Sequence, residues 1–188
     1  MERIIRYGCI VIALISALIA SFFLPRRELR ITAQVSGIAI DRNGDNIVAT
    51  FELFEPGVDQ SYGDERSVVA SSGKTFEKCI ENARLTMGKE LYIDDASVLI
   101  IGDKEFDYLL KEVLDYYKTY NHDNMSIPLF RAKSQMASKI FDGKGKILST
   151  EIAESARLID EQVTIKDVYN GVEPDVFIKG AGGYEIVS

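Results

Sequence analysis

The residues whose types and spacing could do chemistry fall into five small groups. Ser72-Gly73-Lys74-Thr75 has the ending of a phosphate-binding loop, in which backbone amides curl around phosphate and the lysine reaches its oxygens. That cradle needs a glycine five positions before Gly73, and Val68 stands there. The four residues therefore read as a strand-to-helix turn with Thr75 as the helix cap, and no nucleotide is expected. Asp94-Asp95, Asp41 and Asp45 offer carboxylates for calcium or acid–base work, but none has the spacing of a calcium loop. Acidic residues at turns are more often solvated or capping. His122 is the single histidine, which excludes two-histidine metal motifs and leaves one base for any Ser/His/Asp triad. It sits in the polar turn cluster Asn121-His122-Asp123-Asn124, which suits a surface role. Cys9 and Cys79 lie in different kinds of segment, so neither a disulfide nor a metal site is expected. Nothing assembles into an active site, and the expectation is a protein without catalytic residues, metal or cofactor. The fifth group is Asp115-Tyr116-Tyr117-Lys118-Thr119-Tyr120. Tyr117 continues an apolar helical stripe, whereas Tyr116 and Tyr120 fall off it or at its end. Rings left at a surface favour interfaces, so these two tyrosines are candidate partner contacts, set against the plainer reading that they finish the rim of the core.

The elements that position these groups are centred on Ala96-Ser97-Val98-Leu99-Ile100-Ile101-Gly102, an apolar, branched run closed by glycine. A run without polar alternation suits a strand covered on both faces. Before it, Phe76, Cys79, Ile80, Ala83 and Met87 recur at helical spacing, with Thr75 as N-cap and Gly88 just past the end. Cys79 is then an inert core thiol. After it, Asp103 is placed to cap a second helix carrying Phe106, Leu109, Leu110, Val113 and Tyr117 on one face. Upstream, Ile31, Ala33 and Val35 alternate with polar residues as in a half-buried strand. Asp41-Arg42-Asn43-Gly44-Asp45 supplies an Asn-Gly hairpin turn to a partner strand over 47–54. Residues 57–65 read as a loop and 66–71 as a third strand. Downstream come a strand over 126–132, in which Pro128 argues for an edge position or a bulge, and a short helix over 134–141 ended by Gly143. A basic Gly143-Lys144-Gly145-Lys146 loop, a helix over 150–161 and two strand-like pieces near 176–178 and 184–187 complete the order. The expected class is α/β, with a central mixed sheet and flanking helices.

Residues 1–25 are set apart as a signal or anchor. Arg3 and Arg6 precede an uncharged run over 7–25, with its apolar core at 10–24, followed by Arg26 and Arg27. No good small-x-small cleavage site follows, which predicts an uncleaved membrane anchor over 7–24 with the N-terminus in the cytoplasm. Residues 26–188 then form one extracytoplasmic domain. With 22 Lys and Arg against 29 Asp and Glu the chain carries −7, which argues against a nucleic-acid surface.

In this order the segments resemble a known family. Arg26-Arg27-Glu28-Leu29 leads into Val35-Ser36-Gly37-Ile38-Ala39-Ile40-Asp41. Ser72-Gly73-Lys74-Thr75-Phe76, Leu91-Tyr92, Val98-Leu99-Ile100-Ile101-Gly102 and Val113-Leu114-Asp115-Tyr116-Tyr117 follow. The series resembles the N-terminal domain of the Ger(x)C family, the C subunit of spore germinant receptors. The resemblance implies a membrane-attached, extracytoplasmic, non-enzymatic subunit acting beside an A subunit and a permease-like B subunit in the spore inner membrane. Where family members carry a lipoprotein cysteine, this chain has Phe22-Phe23-Leu24-Pro25, and Cys9 precedes the apolar run, so lipid attachment is not expected. Where many members have a histidine before the central strand, Asp94 and Asp95 stand here. The family continues through further domains, so a truncated or specialised relative is expected. A different class, an anchored domain that senses a small ligand, is the alternative.

Overall fold

The computed structural model describes residues 32–55, 65–120, 125–133, 136–142, 147–158, 162–174, 176–179 and 185–187. The predicted anchor, His122 and the basic loop at 143–146 lie outside them. Among the described residues no helix is long and apolar enough to cross a membrane. The contact-dense unit that holds the described residues is Thr32–Ser188.

Its sheet is built from β1 (Thr32–Asn43), β2 (Asn46–Glu55), β3 (Glu65–Gly73), β4 (Glu90–Tyr92), β5 (Val98–Gly102), β6 (Leu129–Ala132), β7 (Phe177–Lys179) and β8 (Glu185–Val187). The order is β3-β2-β1-β5-β6-β7-β8, with β4 beside the start of β1. β1, β5, β6 and β7 run parallel, and antiparallel pairs β1–β2, β2–β3 and β7–β8 complete a mixed sheet. The α-helices are α1 (Phe76–Met87), α2 (Phe106–Thr119), α3 (Leu148–Arg157) and α4 (Ile165–Tyr169), with a 3-10 helix at Ala137–Asp142.

β1 carries the architecture. Its Asn-Gly turn closes the predicted hairpin with β2, and Gly44 supplies the positive φ of 57° that the turn requires. At Ser36 the strand holds one extra residue, since Val35 pairs Leu53 while Gly37 already pairs Glu52. This bulge shifts the side-chain alternation by one. Ala33 and Val35 before it, and Ile38 and Ile40 after it, face the same apolar layer under α1 and α2. Gly37, Ala39 and Asp41 turn to the opposite face, where Ala39 joins Ile100, Phe130, Ile140, Phe141 and Ile152 beneath the 3-10 helix and α3. The strand expected to be half-buried is therefore buried without interruption from Val35 to Asp41.

The predicted caps of α1 stand: the Thr75 hydroxyl accepts from the Lys78 amide at 3.2 Å, and Gly88 is left-handed. Asp103 does not cap α2. The capping position is Glu105, in a left-handed conformation with φ 57°, while Asp103 pairs with Arg131 at 2.6 Å. β6 is not an edge strand, because Pro128 precedes it and bridges Thr164, leaving Leu129–Ala132 to pair with β5 and β7. The helix expected over 134–141 is the shorter 3-10 turn, and α3 begins earlier than the expected 150.

Burial raises the pKa of the Cys79 thiol to about 11 and of the Tyr116 phenol to about 12, and pushes Tyr117 up as well. The folded state thus holds these protons more tightly than the unfolded chain. Their contribution to stability is fully present below the ordinary values of 9.0 and 10.0 and is lost as pH rises through the raised ones. The melting temperature should accordingly stay level through neutral pH and fall from about pH 9 upward, the lower part of the fall disappearing in Cys79→Ala. A melt unchanged up to pH 11 would contradict the burial of these groups.

Candidate functional site

The two tyrosines singled out by sequence part company in the fold. Both leave the last turn of α2, but Tyr116 is only 8 % exposed, with its ring edge-on to Phe76 at 5.2 Å and to Tyr117 at 5.9 Å. The expectation that Tyr116 turns away from the core is corrected: α1 crosses close enough to α2 to place Phe76 against this ring. Tyr120 is 49 % exposed and stacks on Tyr116 at 4.9 Å. Its hydroxyl donates to the Glu77 carboxylate in the first turn of α1, and that bond raises the phenol pKa. Together they border a shallow cleft of about 220 Å³ that also draws on Glu112, Asp115 and Thr119. Its side chains offer carboxylates and one aromatic face to whatever docks there.

Two carboxylates that pattern reasoning undervalued lie on the second face. Glu52 occupies an outward position of the alternation in β2, yet it is fully buried. Its two oxygens accept from the amides of Leu148 (3.0 Å) and Ser149 (2.8 Å), the first residues of α3, and it pairs with Arg66 of β3. Arg66 in turn donates to the Phe141 carbonyl at the end of the 3-10 helix. Asp41, 3 % exposed, caps the other element from a distance, accepting from Ala137 N at 2.6 Å and Ser138 N at 2.9 Å. Each charge meets otherwise unpaired amides at a helix start, which is what permits its burial.

The glycines around these acids are there for space. A Cβ on Gly37 would stand 2.5 Å from Ser149 Cβ and 2.8 Å from Phe141 Cζ, and one on Gly102 would stand 2.6 Å from Asp41 Oδ1. A sequence signal for this arrangement existed in Gly37 and Asp41 on one strand and Gly102 closing the next, but a single chain does not say which helices they meet.

A larger cavity, of about 600 Å³, opens at the carboxyl ends of β1 and β5, lined by Asp41, Arg42, Asn43, Gly102, Asp103, Lys104 and Met136. At Ser72-Gly73-Lys74-Thr75 the chain simply turns into α1. Lys74 Nζ reaches the Asp45 carbonyl at 3.4 Å, and a Cβ on Gly73 would meet Lys78 at 2.8 Å. Asp94 and Asp95 lie in the turn between β4 and β5, where Asp95 accepts from Gln34 at 3.4 Å. Among the described residues no group of three His, Cys, Asp or Glu is placed to hold a metal ion.

A mixed sheet with helices on both faces, a tyrosine-bearing cleft and a cavity at the strand ends define the chain as an α/β domain. It belongs to the spore germination protein N-terminal domain family, which matches residues 25–170, most of the chain. The resemblance to the Ger(x)C N-terminal domain is thereby established. No curated protein and no solved structure matches the chain.

Proposed function

We propose that this chain is a non-enzymatic, membrane-anchored subunit or accessory of a spore germinant receptor, acting by protein–protein contact in the germination response. The observation that carries the germination role is the family match over residues 25–170. The anchor is the uncharged run at 7–24 between arginine pairs, with the domain on the extracytoplasmic side of the spore inner membrane. The partners are the A- and B-type membrane subunits. Docking uses the cleft between the start of α1 and the end of α2, with Tyr120 as its anchor residue. Support for that surface comes from a half-exposed ring held in one orientation by Tyr116 beneath it and Glu77 beside it. A pre-oriented ring gives large contact area at small entropic loss.

Tyr120→Ala should reduce co-purification with the partner subunits, by about thirtyfold in affinity for a hot-spot loss of roughly 2 kcal/mol. The melting temperature should move by no more than a few degrees, because the ring lies at the rim of the core. Undiminished co-purification would remove this cleft from the interface, and a collapse in stability would make Tyr120 a core residue.

A further inference from the structure

We propose that the cavity at the carboxyl ends of β1 and β5 binds a small soluble organic anion, gripped by Lys104 and Arg42. The topology supplies the place. The adjacent parallel strands β5 and β6 send their connections to opposite faces: β5 enters α2 over one apolar layer, β6 the 3-10 helix over the other. Where neighbouring connections diverge in this way a crevice opens outside the carboxyl ends of the strands, and α/β sheets bind their ligands there. The cavity lies next to that point, between the ends of β1 and β5 with Met136 from the connection after β6, and its volume of about 600 Å³ lies in the range of roughly 300–1,000 Å³ typical of small-molecule sites.

The charges supply the sign. Two acids line the cavity, and both are already matched. The Asp41 oxygens accept from Ala137 N and Ser138 N, and Asp103 is held by Arg131 at 2.6 Å. The two cations are less well served. Lys104 has no ion pair among the described residues. Arg42 lies over the Tyr108 ring at 4.7 Å, with its Nε 3.3 Å from the Glu105 carboxylate but not aligned for a hydrogen bond. Its Nη1 is buried and meets no hydrogen-bond partner. The guanidinium thus keeps hydrogen-bonding capacity unmet beside the cavity, and a carboxylate or phosphate oxygen suits it best. Met136, 44 % exposed, offers apolar surface to the organic part of such a ligand. This inference is independent of the docking surface at Tyr120, which involves none of these residues.

The test is a titration of the detergent-solubilised, 15N-labelled full chain with sodium acetate and with inorganic phosphate. Sodium chloride at matched ionic strength and methylammonium chloride serve as comparisons. Saturable amide shifts are expected at Asn43, Gly102, Asp103 and Lys104 with at least one of the two anions. Affinity should fall by about tenfold in Lys104→Ala, the loss of one charge-assisted contact, and stay unchanged in Tyr120→Ala. Lys104 is exposed, so its replacement should leave the melting temperature as it was. The proposal is overturned if neither anion gives saturable shifts, if chloride reproduces them, if Lys104→Ala binds like the parent, or if only methylammonium binds.

Discussion

Leu99→Asp and Ile100→Asp are each expected to leave the domain unfolded. Both side chains are fully buried in β5, between β1 and β6, and they point to opposite faces. Leu99 belongs to the layer under α1 and α2, and Ile100 to the layer under the 3-10 helix and α3. An aspartate at either site would lose the apolar packing, which costs about 2–5 kcal/mol for a truncated leucine or isoleucine. It would also place an unpaired carboxylate where desolvation costs several kcal/mol more. A whole domain is stable by only about 5–15 kcal/mol. The two variants should therefore lack a cooperative thermal transition by circular dichroism and be cut rapidly by protease. A parent-like melt for both would mean that β5 is not the doubly covered strand. If only Ile100→Asp melted like the parent, the second layer would be the one misplaced.

Glu52→Ala should be the next most damaging change, at about 3–5 kcal/mol, the usual loss when one partner of a buried ion pair is removed. Here the loss has three parts. Arg66, with its side chain 8 % exposed, keeps a buried charge without its carboxylate. The amides of Leu148 and Ser149 lose their acceptor, and α3 is left uncapped because its own capping position, Ile147, makes no side-chain bond. A void also opens between the sheet and the helix start. Urea unfolding should show a lower midpoint with an unchanged slope. Glu52→Gln, which keeps the volume and one acceptor oxygen, should lose less. The double change Glu52→Leu with Arg66→Met should recover part of the deficit by removing both members of the buried pair, while the uncapped helix keeps it below the parent. An effect of Glu52→Ala below about 1 kcal/mol would mean that the carboxylate does not hold α3 to the sheet.

Much of the scaffold was legible in the chain because local rules and the fold agree there. The apolar run at 98–102, the helical stripe from Phe76 to Ala83, the Thr75 and Gly88 caps and the Asn-Gly turn each answer to neighbours a few residues away. Backbone sterics and short-range burial determine those elements wherever the rest of the chain goes. The turn at Gly73 was equally local: Thr75 caps α1 there, and Val68 belongs to β3. The family likeness could be read from the same stretches, because Gly37, Asp41 and Gly102 stand in them.

The two-layer covering of β1 was settled only in three dimensions. Alternation predicted one wet face for β1, but the bulge at Ser36 and the arrival of α3 made both faces dry near Glu52. The helix-start amides that Asp41 and Glu52 accept from lie 96 or 97 residues further along the chain. No periodicity in sequence encodes a contact of that separation, and an acid in a strand reads as solvent-facing until a helix start is brought to it. The same applies to Tyr116, whose place in the core depends on where α1 crosses α2. It applies also to the cavity beside Lys104, which forms only where the ends of β1 and β5 meet Met136 from the connection after β6.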